Sequence, residues 1–374
     1  MGARMNATPT RDTIVLAAGG TGGHLFPAQA LANALGARGW AIVVMTDARF
    51  AHYATQFPGA RIETVPSAPL SSPLAPFRIA AGILTAFRKL LALKPAAVVG
   101  FGGYPSVPVM MGALALSRPT AVIEQNTVMG RANRLVQDRV ARVAAAFPIA
   151  RFAPRDRAKI VLTGNPLRPE AEALWGAPYE PPTVSGPLRL LVFGGSQGAR
   201  IFSELVPAAL TRLPHDLKLR LQVVQQCRPE DLEAVKAVYA NAEIRAELRP
   251  FFTDMPRRLA EAHLVIARSG AGTVAELMAI GRPAILVPLP SAMDDHQTDN
   301  AALLSRAGAG WLLAQKTLDA ESLARTLQAL LRDPSELAAK AEAAHKLAIP
   351  HAADNLADMV EQLARSSGKR RRAA

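Results

Sequence analysis

Residues 13–24 read Thr13-Ile14-Val15-Leu16-Ala17-Ala18-Gly19-Gly20-Thr21-Gly22-Gly23-His24, an apolar run of strand length that ends in glycines, and Pro27–Leu35 continue as a helical pattern. An unbroken apolar run suits a strand buried on both faces, as in a parallel sheet covered by helices. Ile42–Met45, Ala97–Val99 and Val122–Ile123 are further short apolar runs. Downstream, Arg189–Phe193 leads into Gly194-Gly195-Ser196-Gln197-Gly198-Ala199, and Leu264–Ala267 into Ser269-Gly270-Ala271-Gly272-Thr273. Ala284–Val287 reads as a last buried strand. Strands alternating with helices across short loops predict an α/β chain. Because the glycine loop recurs near residues 20 and 195, two Rossmann-like, doubly wound domains in tandem are expected.

Thr163-Gly164-Asn165-Pro166 closes the first half, and Pro169, Pro178, Pro181, Pro182 and Pro187 stud the adjoining stretch, which has no apolar periodicity. That density predicts a linker over 166–187. The expected division is a first domain over 1–165, the linker, and a second domain over 188–349. Residues 350–374 then supply a helix, near 351–366, that packs back on the first domain and ends in the basic tail Lys369-Arg370-Arg371-Arg372.

A chain of 374 residues exceeds one ordinary core, which agrees with two domains. Its 43 Lys and Arg against 30 Asp and Glu give a formal charge of +13, which calls for an anionic partner or surface. Nucleic acid is one such partner, but aromatics make up only 5%, few for a protein that stacks bases. The lone Cys227 excludes a disulfide framework and a cysteine-based zinc site, and fits a reducing compartment. Met1–Asp12 is too polar for a secretory signal. The uncharged stretch Pro95–Ser117 holds Pro95, Pro105 and Pro108, so strand, turn and helix are expected there rather than a membrane span. A soluble, cytosolic chain is the reading.

A strand that ends in glycines and feeds a helix gathers free backbone N–H groups and a positive helix end at one point, which is an anion site. Three such loops, at 19–24, 194–199 and 269–273, point to a phosphorylated ligand between two domains. NAD fits poorly: Leu25 stands where the third glycine of the dinucleotide fingerprint belongs, although Asp47 comes after the second strand where a ribose-binding acid sits. No Gly-Lys-Ser/Thr succeeds any of the loops, so a P-loop is excluded.

Gly19–His24 with Pro27-Ala28, then Gly100-Phe101-Gly102-Gly103-Tyr104-Pro105-Ser106, closely resemble the MurG family. So do Glu124-Gln125-Asn126, Gly164-Asn165-Pro166-Leu167-Arg168, Gly194–Ala199, Ser269–Glu276, and Asp295-His296-Gln297 with Asn300-Ala301. The motifs run in order from about residue 13 to 310. The chain departs from the family pattern at Ile123, where a histidine is common, and at Met129, where a proline is common.

The resemblance implies a GT-B fold, with two Rossmann-like domains facing a central cleft. It implies a UDP-GlcNAc-dependent hexosyltransferase of peptidoglycan synthesis, serving cell wall, cell shape and division, that moves GlcNAc to the 4-OH of MurNAc in lipid I with inversion and gives lipid II. Donor contacts carried over are Thr21, Gly22, Gly23, Asn126, Arg168, Ser196, Phe252, Ala271, Gly272, Thr273, Val274, Ala275, Glu276 and Gln297. Within that set the loop containing Ser196 and Arg168 meet the diphosphate, Glu276 accepts from ribose hydroxyls, Phe252 marks the uracil contact and Gln297 binds sugar hydroxyls. The acceptor diphosphate falls to Gly20, Thr21, Gly22, Gly23 and Tyr104.

His24, at a helix start that favours the neutral imidazole, is either the general base for the acceptor hydroxyl or a hydrogen-bond donor to phosphate. No cofactor and no metal are expected: Asp294-Asp295-His296 are adjacent on a loop, and three neighbours in that form seldom converge on one ion.

A soluble enzyme with a lipid-linked substrate must dock on a bilayer. On a helical wheel the apolar positions of Pro73–Lys94 span about 200°, roughly twice what a core-facing stripe needs. Phe77, Ile83 and Phe87, with Arg78, Arg88 and Lys89, are the expected membrane contacts on an anionic surface, the cytoplasmic face of the bacterial inner membrane. Cell-wall and division machinery are the expected protein partners, and no nucleic acid. Two other readings stay open: a related GT-B sugar-nucleotide enzyme such as a UDP-GlcNAc 2-epimerase, and a basic nucleic-acid-binding protein, which leaves the three anion loops and Glu276 unexplained.

Overall fold

The computed structural model describes residues 12–19, 22–49, 55, 57–69, 72, 74–195 and 198–372, with backbone only over 367–372. The chain forms two compact units. The first contains the residues up to Pro166 together with those from His351 onward; the second spans Leu167–Pro350.

In the first unit the strands β1 (Thr13–Ala17), β2 (Ala41–Thr46), β3 (Arg61–Thr64), β4 (Ala97–Gly100), β5 (Thr120–Glu124), β6 (Arg142–Ala145) and β7 (Ile160–Leu162) form one sheet in the order β3-β2-β1-β4-β5-β6-β7. All pairs are parallel, with Ile14 opposite Ile42 on one side and Ala97 on the other. Side chains alternate across a strand. Ile14 and Leu16 therefore join one core with Leu31 and Leu35 of the helix Gly22–Ala37 and with Leu356 and Val360 of the helix Ala352–Arg372. Val15 and Ala17 enter the opposite core with Ala86 and Leu90 of the helix Ala75–Leu93 and Val109 and Met110 of the helix Ser106–Ala115. The final helix returns across the sequence to this unit, where Trp40 Nε1 donates to Glu361 at 2.7 Å and Arg38 pairs with Asp354 at 2.7 Å. It runs on through the basic residues to Arg372, further than its apolar pattern extends.

In the second unit β8 (Leu188–Phe193), β9 (Leu221–Gln226), β10 (Arg245–Arg249), β11 (Leu264–Ala267), β12 (Ala284–Leu286) and β13 (Gly310–Leu312) take the order β10-β9-β8-β11-β12-β13, again wholly parallel. In both units the first strand lies centrally and the order reverses beside it, the doubly wound topology that opens a ligand crevice beyond the strand ends.

Residues 167–187 are not a free linker. Ala171 is fully buried, Gly176 N–H donates to Ala279 O at 2.9 Å, and the Tyr179 hydroxyl donates to His263 O at 2.8 Å. Arg282, itself 1% exposed, donates to Ala177 O at 3.1 Å and Pro178 O at 2.9 Å. Pro169 opens a short helix, Pro169–Glu172, and the buried Arg282 guanidinium joins the carbonyls of Ala177 and Pro178 to those of Ala260, Ile280 and Gly281. Burial lowers the Arg282 pKa to about 10. Among the described residues no helix is long and apolar enough to cross a membrane; the uncharged stretch from Pro95 divides into β4, a turn and the helix Ser106–Ala115.

Candidate active site

In the first unit the site lies beyond the ends of β1, β4 and β5. Gly20 and Thr21 fall outside the described residues. Gly22 and Gly23 open the helix Gly22–Ala37, whose first turn carries no acidic residue, so its positive end faces the loop uncompensated. His24 sits one residue further on. Its ring lies against the turn after β4, where a Cβ on Gly102 would stand 3.3 Å from Cε1 and one on Gly103 3.5 Å from Cδ2. Both glycines have positive φ, +80° and +70°, so the turn needs glycine for its path as well as for the close approach. Burial lowers the His24 pKa below the usual histidine value, and the Glu124 carboxylate pulls the other way. Nδ1 is buried without a partner among the described residues.

Glu124 is buried at the end of β5 and organises the loop after it. It accepts from Asn126 N–H at 3.1 Å, Gly130 N–H at 2.7 Å and Asn133 Nδ2 at 2.9 Å. Asn126, expected to meet the donor, belongs to this unit and also reaches Glu124 through Nδ2 at 3.4 Å. Tyr104 donates its hydroxyl to Asp47 at 2.8 Å, and Arg49 pairs with Asp47 at 3.0 Å while standing over the Tyr104 ring. Asp47 thus holds a phenol and a guanidinium.

In the second unit Ser196 lies outside the described residues. The turn before it starts at Gly194, where a Cβ would stand 2.4 Å from Ala199 N, and continues through Gly195 at φ +88°. Phe252, beyond β10, is buried beneath Arg258, whose guanidinium lies 4.3 Å from the ring centre. Its ring is packed away from solvent.

Beyond β11, the helix Ala271–Ile280 begins after Gly270 with no acidic residue in its first turn. Ala271, Gly272 and Thr273 have helix-end N–H groups without an intrahelical acceptor. Val274 already donates to Gly270 O at 3.0 Å, and the side chains of Val274 and Ala275 are buried.

Glu276 is buried and receives Arg168 on one carboxylate oxygen, Oε1, from Nη2 at 2.8 Å and Nε at 3.1 Å. Burial raises its pKa, and Arg168 acts against that. The two expected donor ligands thus meet each other, and Oε2 is left to accept. Gln297 accepts Leu289 N–H on Oε1 at 3.0 Å, and its carbonyl takes the Ser269 hydroxyl at 2.7 Å. The amide oxygen is thereby engaged.

Two participants were not singled out from the sequence. Gln226, at the end of β9, binds the Gly194–Gly195 turn. Arg268, buried, donates to Val287 O at 3.0 Å and Pro288 O at 2.9 Å, holding the strand end before the Gln297 loop. The signal available was polar side chains closing otherwise apolar strands. Among the described residues no three His, Cys, Asp or Glu side chains gather as a metal-binding group; His296 Nδ1 instead lies 2.8 Å from Met293 O, and Asp295 accepts from Thr298 at 2.7 Å.

The glycosyltransferase family 28 N-terminal domain matches residues 14–145 and the glycosyltransferase family 28 C-terminal domain matches residues 189–356. A UDP-N-acetylglucosamine--N-acetylmuramyl-(pentapeptide) pyrophosphoryl-undecaprenol N-acetylglucosamine transferase of Phenylobacterium zucineum is 49% identical, over 95% of this chain and 99% of its own. One of the same description from Caulobacter vibrioides is 48% identical, over 94% and 99%. The crystal structure of Acinetobacter baumannii MurG superposes with a TM-score of 0.81 at 32% identity, over 94% of this chain and 99% of that one. The chain belongs to the MurG family. Its fold is of the GT-B type, which the calicheamicin glycosyltransferase CalG4 shares at 18% identity and a TM-score of 0.64.

A helix does lie where the membrane contacts were expected, at Ala75–Leu93, but its exposed face differs from the expectation. Leu74, Phe77, Leu84 and Leu91 are 54%, 76%, 51% and 49% exposed, whereas Ile83 and Phe87 are half-buried. Lys89 is bound to Glu63, leaving Arg78 and Arg88 as the exposed cations of the helix. A wheel gives the width of an apolar face but not which part of it the neighbouring helix Ser106–Ala115 covers.

Proposed function

We propose that this chain transfers GlcNAc from UDP-GlcNAc to lipid I, giving lipid II in peptidoglycan synthesis. The observation that carries the reading is identity of 48–49% along nearly the whole chain to transferases of that description. The anion loops and the Arg168–Glu276 pair supply the chemistry such a donor needs.

The second unit takes the donor. Helix-end N–H groups at 271–273 and the 194–199 turn suit the diphosphate, and Oε2 of Glu276, oriented by Arg168, suits ribose hydroxyls. The Gln297 amide donates to the sugar. The first unit takes the acceptor, with the lipid diphosphate at the positive helix end beside Gly22 and Gly23. Neutral His24 accepts the proton of the 4-hydroxyl as its oxygen bonds to the anomeric carbon; the bond to UDP breaks, the centre inverts, and the charge on UDP is met by the loop dipoles and Arg168. No metal enters this scheme. The stripe Leu74, Phe77, Leu84 and Leu91, flanked by Arg78 and Arg88, rests on the anionic cytoplasmic leaflet of the inner membrane.

Incubation with labelled UDP-GlcNAc and a lipid I analogue, with and without chelator, tests the reading. Label in the lipid product under both conditions is expected. Release of an epimerised sugar without acceptor would instead place the chain among the sugar-nucleotide epimerases.

A further inference from the structure

We propose that Gln226 is a positioning residue that locks the diphosphate side and the uracil side of the donor site to one another; the inference rests on the donor reading above. β9 lies between β8 and β10 in the sheet. The turn after β8 carries the glycines expected at the diphosphate, and the segment after β10 carries Phe252, so the end of β9 is where the two diverge. Gln226 is buried at that point. Its Oε1 accepts Gly194 N–H at 3.1 Å, and its Nε2 donates to Gly195 O at 2.9 Å and Pro250 O at 3.1 Å. One planar amide thus spans both segments, and both of its ends are engaged.

Its neighbour Gln225 shows what a structural glutamine does here. Side chains alternate along the strand, and Gln225 turns into the helix layer, accepting the Tyr239 hydroxyl at 2.5 Å and donating to Phe202 O at 3.1 Å. Gln226 makes all three of its bonds to ligand-side loops. Gly195 O also accepts Gly198 N–H at 3.0 Å, so Nε2 fixes the carbonyl on which the turn closes. With Gly194 N–H and Gly195 O both held, the strand end that enters the diphosphate loop keeps one path before the ligand arrives, and ordering it costs the ligand less.

The test is calorimetric titration of the full chain and of Gln226→Leu and Gln226→Glu with UDP-GlcNAc, UDP and uridine, with melting curves and steady-state kinetics on the same preparations. The leucine variant removes all three bonds at similar volume, and UDP affinity should fall about tenfold or more, with KM for UDP-GlcNAc rising in step. The change in kcat should stay within about threefold, and KM for the lipid I analogue should not move. The glutamate variant keeps the Gly194 contact, loses both donors and adds charge, so it should weaken UDP more than uridine and decides the matter if the leucine variant does not fold. Wild-type UDP affinity in a folded variant overturns the inference. So does a parallel fall of kcat and of both substrates' affinities, which marks a folding role. No UDP-GlcNAc binding by the unmodified chain overturns the donor reading and this inference together.

Discussion

The two units share one strand order and one strand–glycine–helix device, yet differ in how far the polar groups around their loops are paired. In the second unit Gln226, Glu276 and Gln297 are each tied to another part of the site. In the first, His24 Nδ1, Gln125 Nε2 and Thr46 Oγ1 are buried without partners among the described residues. A buried polar atom left unpaired costs about 1–3 kcal/mol, a cost that a ligand relieves where it supplies the missing partner. The difference teaches that the second unit's polar groups hold one another in place, and leads us to propose a donor side built in advance and an acceptor side completed by its substrate.

The largest test of this contrast is His24→Ala. If His24 is the base, kcat should fall about 100-fold to 10,000-fold while KM for UDP-GlcNAc changes little. Collapse of donor affinity with persisting turnover of bound donor would move His24 from the chemistry to the phosphate. Glu276→Ala strikes the other unit. It should raise KM for UDP-GlcNAc about 10-fold to 100-fold and leave the lipid I analogue untouched, because it removes the acceptor and releases Arg168 from the carboxylate that orients it.

A third comparison lies within one helix. Phe77→Asp with Leu84→Asp should lower liposome association about tenfold or more and spare turnover of a detergent-soluble acceptor. Ile83→Asp with Phe87→Asp should mainly lower the melting temperature, since those side chains are half-buried. Equal effects of the two pairs would break the assignment of the exposed stripe.

The smallest effect is on pH. Burial holds the His24 pKa down, so the base form persists below the usual histidine range and the acid limb of kcat should lie under pH 6.5. The Glu124 carboxylate favours the protonated ring. Glu124→Gln removes that pull and should move the limb to still lower pH; a shift upward would show that Glu124 acts on His24 only through the loop it holds.

The apolar runs, the glycine turns and the helical patterns announced two doubly wound units because each is a local requirement: a strand buried on both faces needs apolar residues throughout, and a sharp strand-to-helix turn needs residues without a Cβ. His24 stands beside such a turn, whereas Arg168, Glu276 and Gln297 were expected at the site only through the resemblance to the MurG family. What folding alone decided is pairing across distance. Arg168 meets Glu276 across 108 positions, Lys89 meets Glu63, and the last helix returns to the first unit. Prolines at 169–187 spelled a linker, but Arg282 and Tyr179 bind that segment to the second unit. Periodicity states that a face is apolar; only packing states how much of it another element covers, and only a shared, water-poor interior makes one buried charge or amide seek its partner in a remote stretch of chain.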